Sequence, residues 1–163
     1  MLDKEKLYYE NLNKGKKLLL GPDYAVLDSF KKKKNSSTKF KIIFYTGGSG
    51  DILPLVNIIT ELKKNNKIFD KFLIYIVVGI FAKNRESIKK INQFKNIKII
   101  DSKKDVLTKL NFADLFVGAS GLSMYELKLY NIPRILFEMN DNQKCKTNAH
   151  DKLGNFFVLK KND

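Results

Sequence analysis

Residues 39–50 read KFKIIFYTGGSG, and this stretch decides the fold. Lys39–Thr46 is dominated by aromatic and β-branched side chains, whose stiff, bulky bodies suit a pleated surface covered on both sides. Gly47-Gly48-Ser49-Gly50 then breaks the run at a point where only small residues let the backbone turn sharply. A buried strand ending in a tight turn is expected, followed by a helix. From Ile52 to Lys64, the apolar residues Ile52, Leu55, Val56, Ile59 and Leu62 recur at helical spacing. Asp51 stands where a cap belongs, and Pro54 is tolerated in a first turn.

Outward from this unit the same alternation repeats. Lys71–Val78 reads as a second buried strand ended by Gly79, Arg85–Phe94 as a short polar helix and Ile97–Ile100 as a third strand. Val106–Asn111 is helical in pattern, Ala113–Val117 is a fourth strand, and Gly118–Gly121 a turn. Ser123–Tyr130 follows as a helix, Arg134–Phe137 as a fifth strand, Lys146–Leu153 as a helix and Phe156–Leu159 as a last strand. Near-continuous apolar strands alternating with helices require a parallel sheet covered on both faces. The expected fold is α/β, a single Rossmann-like doubly wound parallel sheet over residues 39–163. Residues 1–38, with a turn at Gly21-Pro22, fall outside the repeat and read as an N-terminal strap or linker. Ligands of such sheets bind beyond the carboxyl ends of the strands. The loops Gly47–Gly50, Gly79–Lys83, Ser102–Asp105, Gly118–Leu122 and Glu138–Gln143 are therefore the places to look.

The chain has 163 residues, 44% of them hydrophobic, enough for one ordinary core. No apolar run approaches the roughly 20 residues of a membrane helix. The charged start MLDKEKLYYE carries no secretion signal, so no membrane span and a cytoplasmic location are expected. With Cys145 the single cysteine and His150 the single histidine, no zinc cluster, internal disulfide or Cys-His dyad is expected, and no metal or cofactor. His150 and Cys145 read as bystanders. The net charge of +14 invites a nucleic-acid reading. Against it, Arg85 and Arg134 are the only arginines, the lysines are spread over nearly every segment, and the run Lys31–Lys34 has no interleaved aromatics. A solvated lysine-rich surface is the simpler reading, and a noncatalytic interaction or nucleic-acid-binding domain the alternative.

Two turns hold the candidate chemistry. GGSG at 47–50 is neither a Walker A loop nor a dinucleotide GxGxxG. It fits either a phosphate cradle at a helix N-terminus or a plain βα turn, with Asp51 opposing an anion. The second turn, GASGLSMYE at 118–126, has Gly118 and Gly121 for close approach, Ser120 between them, and Ser123 to cap a helix. Glu126, three residues after Ser123, either closes a capping box or accepts hydrogen bonds from ribose hydroxyls.

Taken in order, LLLGPDYAVL (18–27), the strand with GGSG (42–50), ADLFVGASGLSMYEL (113–127), NIPRILF (131–137) and DNQ…NAHDKLG (141–154) resemble the C-terminal half of GT-B nucleotide-sugar enzymes. The similarity is to the UDP-sugar hydrolases of pseudaminic acid biosynthesis and the spore-coat polysaccharide biosynthesis proteins, and more distantly to the glycosyltransferase that makes lipid II. The resemblance implies a domain binding UDP or a UDP-sugar without metal or cofactor. Gly79, Asp105 and Val106 would hold the uracil, Glu126 the ribose, and Gly121, Leu122 and Ser123 the diphosphate, with Gly118 and Ser120 in the same turn. Gly48 and Ser49 would face the cleft, and Asn142 and Gln143 the sugar or distal phosphate, although the pair also reads as a polar loop capping the next helix. The chain departs from the family at Gly50-Asp51, where the acid is shifted and a proline is missing, and at Leu122, usually small and polar. The catalytic histidine of the hydrolases belongs to the other half, so binding without turnover is expected of this chain. A separate polypeptide supplying that half, as in a split glycosyltransferase, is a further alternative.

Overall fold

Parallel pairing on both flanks of a central strand sets the architecture. The computed structural model describes residues 38–102, 112–121, 132–140, Gln143, Thr147 and 157–159. Strand β1 (Phe40–Tyr45) pairs in parallel with β2 (Phe72–Val78) on one side and with β4 (Leu115–Ala119) on the other, so that Ile42 lies opposite both Ile74 and Leu115. Strand β3 (Ile97–Asp101) extends the β2 side, and β5 (Arg134–Phe137) and β6 (Phe157–Leu159) extend the β4 side. The order is β3-β2-β1-β4-β5-β6, all parallel, which is the expected doubly wound α/β sheet.

Successive strand side chains point to opposite faces, and each face carries its own core. On one, Ile43 and Tyr45 meet Tyr75, Val77, Phe116 and Leu136. On the other, Ile42 and Phe44 meet Ile74, Ile76, Val78 and Val117, covered by Leu55, Val56 and Ile59 of helix α1 (Leu53–Lys63). The spacing of those three residues is the periodicity read in the sequence. The N-cap is Ile52, whose side chain makes no capping bond, rather than Asp51; the Asp51 carboxylate, one residue earlier, accepts the Leu53 N–H at 2.8 Å, and Pro54 sits in the first turn.

The structure corrects some boundaries. Strand β4 runs Leu115–Ala119 rather than Ala113–Val117. Asp114 exchanges hydrogen bonds with Lys41, its carboxylate accepting the Lys41 N–H at 2.8 Å and its own N–H donating to the Lys41 carbonyl at 2.9 Å, and the ladder starts only after it. At the far end Gly118 and Ala119 continue the pairing with Leu136 and Phe137, so the expected turn shrinks to Ser120-Gly121. The polar helix expected over Arg85–Phe94 is a shorter 3-10 helix, Arg85–Lys90. A one-turn helix, α2 (Asn66–Phe69), has no counterpart in the sequence pattern. The Asn65 side chain caps it, accepting the Ile68 N–H, and it buries Phe69 edge-on against Phe94 at 5.6 Å. The strap 1–38, except for Thr38, and the helices expected over Val106–Asn111, Ser123–Tyr130 and Lys146–Leu153, except for Thr147, lie outside the described residues.

Arg134 opens β5 while buried, and loss of its water shell lowers its guanidinium to about 10. Among the described residues, no helix is long and apolar enough to cross a membrane.

Phe116 is fully buried at the centre of one face. Phe116→Ala is expected to cost about 3–5 kcal/mol of stability in urea unfolding. A loss below about 1 kcal/mol would mean that this face is not tightly packed.

Candidate functional site

In a sheet of this order, the connections leave β1 and β4 in opposite directions, which opens a crevice between their carboxyl ends. A cleft of ≈ 690 Å³ lies at this switch point. That volume falls within the range typical of small-molecule sites. Thr46–Asp51 and Pro54 form one wall, Gly121 and Glu138–Asn140 the other, with Lys83 and Gln143 also in the lining.

The turn after β1 is held from behind by main-chain bonds. Gly47 has φ +94°, which a side-chain-bearing residue rarely adopts. The Gly48 carbonyl accepts the Phe81 N–H at 2.8 Å, the Gly50 carbonyl accepts the Lys83 N–H at 3.1 Å, and the Ile52 N–H donates to the Lys83 carbonyl at 3.2 Å. The strap Gly79–Lys83 thus continues the β1–β2 pairing past the ends of both strands. A planar trans peptide points its N–H opposite its C=O. With the Gly48 and Gly50 carbonyls turned to the strap, the N–H groups of Ser49 and Asp51 are sent toward the β4 side, where the cleft opens. Among the described residues, the N–H groups of Gly48, Ser49 and Gly50 make no backbone hydrogen bond.

Polar side chains complete the arrangement. The Asp51 carboxylate, besides accepting from Leu53, is bridged by the Asn84 amide nitrogen, 2.9 Å from each oxygen. Arg85 donates to the Gly79 carbonyl at 2.7 Å and to Asp101 at 2.8 Å, tying the strap to the end of β3. Lys83 brings a cation to the lining, and Glu138 a half-buried carboxylate.

Of the residues singled out in the sequence, Gly48, Ser49, Gly121 and Gln143 come together in this cleft. Gly79 does not line it. Gly79 is buried directly behind the turn, and a Cβ there would collide with the Gly47 and Gly48 carbonyl oxygens. Gly118 lies within β4. Ser120 is 1% exposed, and its hydroxyl has no hydrogen-bond partner among the described residues. The Ser120 N–H donates to the Phe137 carbonyl at 3.3 Å and the Gly121 N–H to the Ala119 carbonyl at 2.8 Å, so both amides of this turn are already engaged. Gln143 fastens its own loop: its side-chain oxygen accepts the Met139 N–H at 2.8 Å, and its carbonyl accepts the Thr147 hydroxyl at 2.8 Å. Asp105, Val106, Leu122, Ser123, Glu126, Asn142, Cys145 and His150 lie outside the described residues. Sequence reasoning missed Thr46, Lys83 and Glu138 as lining residues, although the last two stand at the edges of loops that the topology had marked.

No protein-family model matches the sequence, and a search of curated proteins likewise finds no match. The fold is similar to that of a solved structure described as the glycotransferase of kitacinnamycin, with a TM-score of 0.60 and 15% identity over 80% of this chain and 33% of that one. At this identity the likeness shows the fold alone. The chain spans about a third of the length of that glycosyltransferase.

Two glycines separate scaffold from lining. A Cβ at Gly79 would clash with backbone oxygens, whereas one at Gly121 meets open space. Gly79→Ala is expected to lower stability by more than about 2 kcal/mol, and Gly121→Ala by less than about 0.5 kcal/mol. Equal denaturant midpoints for the two variants would remove Gly79 from the support of the turn.

Proposed function

We propose that this domain is of glycosyltransferase type and binds a nucleoside diphosphate or its sugar ester, UDP or a UDP-sugar, in the switch-point cleft. The observation that carries the reading is the turn Gly47–Asp51, whose Gly48 and Gly50 carbonyls are committed to the strap, so that the Ser49 and Asp51 amides face the other way, toward the cleft. Main-chain N–H groups so disposed suit an oxyanion. The fold shared with a glycosyltransferase supports the class. The choice of uridine rests on the resemblance to the nucleotide-binding half of the UDP-sugar hydrolases and polysaccharide biosynthesis enzymes.

In this reading the diphosphate lies between the amides of Ser49 and Asp51 and the segment of Gly121, Leu122 and Ser123, with Lys83 adding one positive charge. Glu126 takes the ribose hydroxyls, as the resemblance implies. The loops of Gly79 and of Asp105-Val106 lie toward the base. Because Gly79 is buried behind the turn, any contribution from its loop falls to the strap residues that follow it. Asn142 and Gln143 lie toward the sugar. The bond between the anomeric carbon and the diphosphate would break with the departing charge held by main-chain donors, which is electrostatic stabilisation of a leaving group. The isolated chain binds without turnover, and the other half of a complete enzyme or a separate polypeptide would supply the attacking group.

A ligand that binds only the native state raises the melting temperature. UDP is expected to stabilise the protein more than CDP, GDP or ADP at equal concentration, and no response to any of the four would overturn the proposal. Lys83→Ala and Glu126→Ala are each expected to weaken UDP by about tenfold in calorimetry, a loss typical of one charge-assisted hydrogen bond. Wild-type affinity in a well-folded variant would remove that residue from the site.

A further inference from the structure

A carboxylate in the lining of a site proposed for a diphosphate needs explaining. Asp51 lies in that lining, next to Gly50 and beside Lys83. Turned into the cleft, it would repel any anion held by the neighbouring amides. Its carboxylate is instead held on three contacts. Its Oδ1 accepts the Leu53 N–H at 2.8 Å, and the Asn84 nitrogen bridges Oδ1 and Oδ2 at 2.9 Å each. Only the NH₂ end of the Asn84 amide can face two carboxylate oxygens, so the orientation is fixed by chemistry.

Asn84 is itself held in an unusual conformation. At φ 55° and ψ 37° it is the one non-glycine residue with positive φ among the described residues. Asparagine tolerates this region better than most residues, but still at some cost in backbone energy. The flanking contacts fix it there. On one side the Lys83 N–H bonds to the Gly50 carbonyl, and on the other Arg85 grips the Gly79 carbonyl. The left-handed turn aims the Asn84 side chain back at Asp51 from 33 residues along the chain.

We propose that Asn84 is a positioning residue that holds the Asp51 carboxylate out of the anion's path and thereby sets how tightly the cleft takes a diphosphate. The inference rests on the proposed function and adds to it a determinant of affinity that touches no ligand. A neutral amide suits this task because it fixes the carboxylate without placing a second charge beside the ligand. Without the clamp, Asp51 keeps only the Leu53 N–H and is free to rotate toward the cleft.

The test is a double-mutant cycle on the full chain, with affinity for UDP and for inorganic pyrophosphate read by calorimetry and folding by thermal melting. Asn84→Gly retains access to the left-handed conformation while removing the amide. It is expected to weaken both ligands about tenfold, the order of effect of one like charge swinging toward a bound anion in partly hydrated space. Asp51→Asn keeps an oxygen that can accept the Leu53 N–H but removes the charge, so Asn84→Gly in that background should cost less than about twofold. Asn84→Asp, which also tolerates the conformation, replaces the donor by a second carboxylate and should weaken both ligands further than Asn84→Gly does. Equal losses in the wild-type and Asp51→Asn backgrounds, or none in either, would overturn the clamp while leaving the binding reading intact. A wild-type protein that binds neither UDP nor pyrophosphate would overturn both. Should Asn84→Gly fail to fold, Asn84→Asp measured in the two backgrounds decides the same question.

Discussion

The site depends on how one short turn uses its peptide groups. The carbonyls of Gly48 and Gly50 are satisfied by the N–H groups of Phe81 and Lys83, on the β2 side of the central strand. Peptide planarity then directs the next amides toward β4. This requires the strap to lie against the turn closely enough for backbone to touch backbone, and Gly79, where a Cβ would strike two carbonyl oxygens, is the residue that permits it. The sheet order places that turn at the switch point. Topology supplies a cleft, and the strap orients the donors along one wall.

Most of the sheet was legible because it is written in local pattern. Phe40–Tyr45, Phe72–Val78 and Arg134–Phe137 are apolar runs closed by glycine or opened after proline, and they appear within a residue of where that pattern puts them. The shifted strand β4 was harder to read, since Gly118 and Ala119 have no strand preference of their own. They extend the ladder because Tyr45, Leu136 and Phe137 are there to pair with. Helix α2 also escaped, its single turn stabilised by the Asn65 cap and by Phe69 on Phe94, and too short to show a period.

The candidate site divides along the same line. Gly48, Ser49 and Gly121 were visible because small residues at strand ends mark the carboxyl edge of such a sheet. The side chains that shape the wall were not, because their roles are long-range. Nothing local to Asn84 announces a partner at Asp51, and nothing local to Arg85 announces the Gly79 carbonyl. The resemblance assigns Gly79 to a loop that holds the base, whereas the structure places it behind the turn. Lysine abundance was a weak guide in the same way. Lys63 lies over the Phe69 and Phe94 rings at 5.0 and 5.4 Å, Lys41 over Phe112 at 4.6 Å, and Lys98 over Tyr75 at 5.8 Å. Their stems cover aromatic surface one residue at a time. The net charge of +14 favours the approach of anions in general and selects none.

The position of Asp51 also constrains where attraction for a diphosphate can arise. A carboxylate hydrogen-bonded to the first turn of α1 compensates the positive end of that helix. The dipole of α1 therefore has little left for a ligand, unlike a phosphate loop whose helix end is bare. In the proposed reading, attraction on this side must come from the directed amides of Ser49 and Asp51 and from Lys83. The N–H groups of Ser120 and Gly121 are already engaged, so neither adds a free donor from the opposite wall. The wall built by β1 would then act mainly as a shaped backbone surface. With charge on this wall nearly balanced, the fit of a diphosphate to main-chain geometry would weigh more in discrimination than its charge.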